Sequence, residues 1–109
     1  MARRKRYIRG NVYVTNDSIL RKTKSKKRRV VATNDDKNHV VVRRILTANK
    51  GRNSRKGTRI EKYPDIPKES VVENRSYRKT IDGKNISTSK MRKTKTRLNK
   101  FDRKKLGIK

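Results

Sequence analysis

The stretch Lys26–Thr47, KKRRVVATNDDKNHVVVRRILT, decides how this chain is read. A basic block leads into a short β-branched run, Arg29-Val30-Val31-Ala32-Thr33, which has the composition of a strand. Asn34-Asp35-Asp36-Lys37-Asn38 follows as a turn cluster, with side chains suited to bonding nearby backbone amides. His39–Thr47 is a second apolar run, and the two runs predict a β-hairpin. Strand alternation sets Val40, Val42, Arg44 and Leu46 on one face and Val41, Arg43, Ile45 and Thr47 on the other. Each face begins apolar and acquires one arginine. That suits a strand at the centre of a strongly curved sheet, with its far end emerging at a charged surface. The hairpin is the expected core, and it positions the arginines.

Composition explains why the core must be small. Of 109 residues, 28% are hydrophobic and 41% are charged, so one small sheet is what the chain can bury. There are 36 Lys and Arg against 9 Asp and Glu, a formal net charge of +27. Such a chain repels itself unless a polyanion neutralises it, and nucleic acid is the expected polyanion. RNA is expected over DNA. No apolar run approaches the roughly 18 residues of a membrane-spanning helix. The first residues, MARRKRYIRG, lack the apolar stretch of a secretory signal, so a cytoplasmic location is expected. The chain has no cysteine, which removes disulfides and thiolate metal sites.

Outward from the hairpin, residues 1–9 form a basic arm, expected to be disordered when free and ordered on a phosphate backbone. GNVYVTN, from Gly10 to Asn16, alternates as a half-buried strand, and a basic loop links it to the hairpin. ANKGRNSRKGT, from Ala48 to Thr58, reads as a second basic loop. Thr58–Lys62 and Ser70–Glu73 read as brief strands, and Asp82-Gly83 as a two-residue turn. Tyr13 and Tyr77 are expected in the core. Met91, Leu98 and Phe101 recur at near-helical spacing, which predicts one amphipathic helix from about Ser87 or Ser89 to Leu106, ending before Gly107. The expected fold class is mainly β with a C-terminal helix: a basic arm over 1–9, a small β domain over 10–86, and a basic helix and tail over 87–109.

The usual catalytic constellations are missing. His39, the one histidine, stands beside a turn, and the carboxylates are few and scattered. NKGRNSRKGT lacks the spacing of a phosphate-binding loop, and no metal-site signature occurs, so no cofactor or metal is expected. One chemistry survives. Metal-free RNA cleavage uses the RNA's own 2′-hydroxyl as nucleophile. The protein then stabilises charge on phosphorus, which arginine does as a bidentate clamp, and threonine can bond the same group.

The order GNVYV, then RRVVATNDDKNHVVVRRILT, then PKESVVENRSYRKTIDGKNIS resembles the PemK/MazF toxin family. The matching positions are Arg29, Asn34 to Asn38, Thr47, Ser70-Val71-Val72 and Thr80-Ile81-Asp82. Two positions depart from the family pattern: Val30 stands where a proline usually follows the arginine, and Ala48 where a serine usually follows the threonine. The resemblance implies a small SH3-like barrel with a C-terminal helix and a metal-independent endoribonuclease of the toxin–antitoxin kind. It implies that Arg29 and Thr47 are catalytic, with Arg28 as substitute for Arg29. It also implies a homodimer and an acidic antitoxin partner. Arg28, Arg29, Arg43, Arg44, Arg52 and Arg55, placed around the hairpin, are the expected nucleic-acid contacts. A non-catalytic RNA- or DNA-binding protein on the same barrel stays open: a phage or mobile-element protein, an inhibitor of a nucleic-acid-guided enzyme, or a ribosome-associated protein. With aromatic residues at 5% of the chain, contact with backbone and shape is expected to outweigh base stacking.

Overall fold

In the computed structural model, which describes residues 7–21, 26–48 and 55–108, six strands join in one antiparallel sheet. They are β1 (Asn11–Asn16), β2 (Lys27–Ala32), β3 (Val42–Thr47), β4 (Gly57–Ile60), β5 (Ser70–Tyr77) and β6 (Arg92–Arg97). A single short helix, α1 (Lys100–Lys105), follows the last strand. The strand order is β4-β5-β3-β2-β1-β6, so the hairpin β2–β3 lies at the centre of the sheet, as its valines require. The sheet does not close, because β4 and β6 are its two edges and do not pair with each other.

The central hairpin is apolar on both faces because both faces are covered. Tyr13, Val30, Ala32, Val42 and Tyr77 pack on one side with Leu20, Ile86 and Met91. Val12, Val31, Ile45 and Val72 pack on the other with Ile66, Leu98 and Ile108. Adjacent residues Val30 and Val31 therefore serve different cores, and both are fully buried. Each such side chain contributes roughly 1.5–3 kcal/mol by leaving water. The turn works as its composition suggests: Asn34 Oδ1 accepts from Val41 N at 2.9 Å, and Asp36 Oδ1 from Asn38 N at 3.1 Å. Asp35 reaches further and accepts from the backbone N–H groups of Ile8 and Arg9, both at 3.0 Å, which docks the end of the N-terminal segment on the turn.

The expected helix from Ser87 or Ser89 to Leu106 does not form. Thr88–Lys90 makes a single 3-10 turn, Arg92–Arg97 is β6, and the helix occupies only Lys100–Lys105. Four apolar residues in twenty, Met91, Leu98, Phe101 and Leu106, are too few to bury a helical face. Strand β6 gains a backbone ladder with β1 instead, and Thr94 Oγ1 donates to Val12 O at 2.7 Å. Met91 enters one core and Leu98 the other, while Phe101 is 73% exposed. Asn99 caps α1 by accepting from Asp102 N at 2.8 Å, and the helix stops before Gly107, whose φ of 72° ends it. The Asp82-Gly83 turn is present, with Gly83 at a φ of 80°.

One irregularity shapes the molecule. β2 and β3 pair only where Val30, Val31 and Ala32 face Arg44, Arg43 and Val42. Beyond that point they part. Lys27, Arg28 and Arg29 stay with β1, opposite Asn16, Thr15 and Val14. Ile45, Leu46 and Thr47 stay with β5, opposite Val72, Val71 and Ser70, after a bulge between Arg43 and Ile45. The sheet forks at its centre.

Candidate functional site

The fork opens into a cleft of about 650 Å³. One arm supplies Lys27, Arg28 and Arg29; the other supplies Ile45, Leu46 and Thr47. Ser70, Ile66, Pro67 and Lys68 close the far side, and Lys56 and Arg21 reach the rim. Among the described residues, fifteen line the cleft; eight of them are Arg or Lys, and Asp17 is the one acid.

One of these cations is spent inside the fold and a second is partly held by it. Arg44, 4% exposed, donates through Nε and Nη2 to the two Glu73 carboxylate oxygens at 3.1 and 2.7 Å. Its Nη1 donates to both Asp17 oxygens at 3.1 and 3.2 Å. Asp17 in turn meets Arg28 Nη2 at 3.5 Å. The result is a buried, electrically balanced set of two arginines and two carboxylates. Burial opposes the charge on Arg44, but the bonds from Glu73 and Asp17 outweigh it and raise its pKa above the usual arginine value. Burial likewise pushes Glu73 up, and Arg44 more than reverses this, holding Glu73 below its ordinary 4.5. Arg28 lies at the edge of this set: one nitrogen meets Asp17, and Nε is buried with no hydrogen-bond partner among the described residues.

The remaining cations differ. Arg29, Lys27 and Lys26 are exposed, and none of them makes an ion pair with a described residue. Lys56 and Lys68 are in the same condition across the opening. An anion entering here meets positive side chains on both walls, above a floor whose own charges cancel.

The expected site residues therefore separate. Arg28, Arg29 and Thr47 all line the cleft, the arginines from one arm of the fork and the threonine from the other. Arg44 lines the same cleft, but its guanidinium is filled by two carboxylates, so it braces the floor rather than offering itself to a ligand. Arg43 points away: its Nε donates to Glu73 O at 2.6 Å and its Nη1 to Leu106 O at 3.2 Å, which ties the C-terminal segment to the sheet. Arg55 is exposed before β4 and does not line the cleft, where its neighbour Lys56 does. Arg52 lies outside the described residues. His39 is exposed in the hairpin turn, and among the described residues no three His, Asp or Glu side chains gather as metal ligands would. Sequence reasoning missed Asp17, Lys56 and Lys68, because their place in the cleft follows from the fork and not from any local pattern. Comparison with protein-family models, with curated proteins and with solved structures finds no match.

Proposed function

We propose that the fork cleft binds the sugar–phosphate backbone of single-stranded RNA and cleaves it without a metal, in the manner of the PemK/MazF toxins that the sequence resembles. The observation that carries this reading is that Arg29 and Thr47 line one cationic cleft, from strands that diverge around it. In the reaction the RNA 2′-oxygen attacks the adjacent phosphorus. A P–O2′ bond forms and the P–O5′ bond breaks; the 2′-hydroxyl proton passes to water, and the 5′-oxygen takes a proton from water. Arg29 bears the charge that grows on the phosphoryl oxygens, and the Thr47 hydroxyl bonds the same group. Arg28, held by Asp17, supports the phosphate from the floor. On this reading the small sheet is a variant of the family's SH3-like barrel. The chain acts as a homodimer, and an acidic antitoxin-like protein competes with RNA for the cations.

A second reading, a binder that does not cut, is favoured by Asp17. Among the described residues it is the one carboxylate lining the cleft, and it is committed to Arg44 and Arg28, so no described lining side chain is a ready base for the 2′-hydroxyl. Incubating RNA with the protein in EDTA separates the two. Fragments from the wild type and none from Arg29→Ala or Thr47→Ala support cleavage. Intact RNA bound by all three proteins supports binding alone.

A further inference from the structure

A second cavity of about 400 Å³ lies beside the fork, and Lys27 lines both. Its chemistry is different. Buried Ile86 and Met91, with half-buried Ile19, make an apolar floor. Asn16 and Asn85 stand at its wall. The volume sits at the small end of the roughly 300–1,000 Å³ typical of small-ligand sites, which are mainly apolar with a few convergent polar groups. The strand register links the two cavities. Val14 lies opposite Arg29 on one side and opposite Arg92 on the other, and Arg29 lines the first cavity while Arg92 lines the second. With strands about 4.8 Å apart, the two arginines are about 10 Å apart at the backbone. A chain of phosphates can follow that row out of the fork.

Both asparagines have unused hydrogen-bonding capacity. Asn16 stands at the start of the Asp17–Ile19 turn, where an asparagine would ordinarily cap, yet its side chain makes no capping bond. Asn85 Oδ1 accepts from Lys79 Nζ at 2.7 Å, which fixes the amide and leaves its Nδ2 hydrogens to donate elsewhere. Amides of this kind read base edges, and single-stranded RNA is read by taking an unstacked base into such a pocket.

We propose that this second cavity is a nucleobase pocket: a base of the strand whose phosphates lie in the fork turns into it, rests on Ile19, Ile86 and Met91, and is read at its edge by Asn16 and Asn85. Lys27 holds the phosphate between the two cavities. This rests on the fork being a nucleic-acid site, and it places sequence preference in residues that the cleavage proposal does not use.

The test uses equal-length 2′-O-methyl oligomers of A, U, C and G, which lack the nucleophilic hydroxyl, with fluorescence anisotropy as readout. Wild-type protein is expected to prefer one base over the weakest by at least about tenfold, the scale of a bidentate amide contact. The Asn16→Ala/Asn85→Ala variant is expected to bind all four within about threefold, the scale left when that contact is gone, while its affinity for inorganic polyphosphate stays unchanged. Asn85→Asp keeps the shape and the Lys79 bond but exchanges donors for acceptors, and is expected to change which base is preferred. A base preference that survives in both variants, or a wild type that prefers none, overturns the pocket. Arg28→Ala/Arg29→Ala checks the underlying reading separately. If it binds every oligomer as the wild type does, or if the wild type binds none, the fork itself is wrong and the pocket falls with it.

Discussion

At the scale of single residues, arginines that look alike in sequence have different tasks. Arg43 and Arg44 are neighbours, and both read as surface contacts. Arg44 instead holds Asp17 and Glu73 below the cleft, and Arg43 ties Leu106 to β5. Replacing Arg44 by methionine leaves buried Glu73 without its cation and Asp17 with Arg28 alone. The expected cost is roughly 3–5 kcal/mol, read from urea unfolding. The same ion pair sets a pH dependence. Glu73 titrates lower in the folded protein than its ordinary 4.5, so its contribution is whole above that pH and is lost as pH falls through the folded value. Urea midpoints measured from pH 7 downward should fall more steeply below about pH 4.5 in the wild type than in Glu73→Gln. None of this was legible locally, since Glu73 is separated from Arg44 by 29 residues and Asp17 by 27. That Arg29 and Thr47 lie near one charged surface was legible from their places at the ends of the hairpin strands, and both line the cleft.

At the scale of elements, the hairpin was readable because β-branched runs and Asn/Asp turn chemistry agree with the position it takes in the sheet. The C-terminal segment was not, because RKTKTR has no apolar alternation and its strand exists only through the β1 edge. The two accounts of this segment make opposite predictions for Leu98 and Phe101, which a single amphipathic helix would bury together. Leu98→Ala should cost roughly 2–5 kcal/mol, as for other buried leucines. Phe101→Ala should stay within about 0.5 kcal/mol, as for exposed positions. Thermal or urea unfolding of the two variants checks this. Gly57 belongs at this scale too. It pairs with Glu73, and a Cβ there would collide with the Val72 carbonyl, so β4 can approach β5 only with glycine at that position.

At the scale of the molecule, the charge is partitioned. Asp17 and Glu73 balance charge under the fork, and Asp102 of α1 accepts from Tyr63 Oη and from Glu61 N at 2.9 Å. The fork walls are left to cations that pair with no described residue. Composition announced the excess charge, but only the divergence of β2 from β3 turns it into a concave site. If RNA phosphates occupy that site, affinity falls with salt, and each lining cation removed should lower the slope of log K against log salt by about 0.7, the value for single strands. Lys56→Ala and Lys68→Ala should show this drop, while Arg55→Ala should show less. The most direct test of the central claim is incubation of labelled mixed-sequence RNA in EDTA at moderate salt, with the wild type beside Arg29→Ala/Thr47→Ala. The account predicts discrete fragments from the wild type and intact RNA from the double variant. Fragments from both proteins, or intact RNA from both, would contradict the roles given to these two residues.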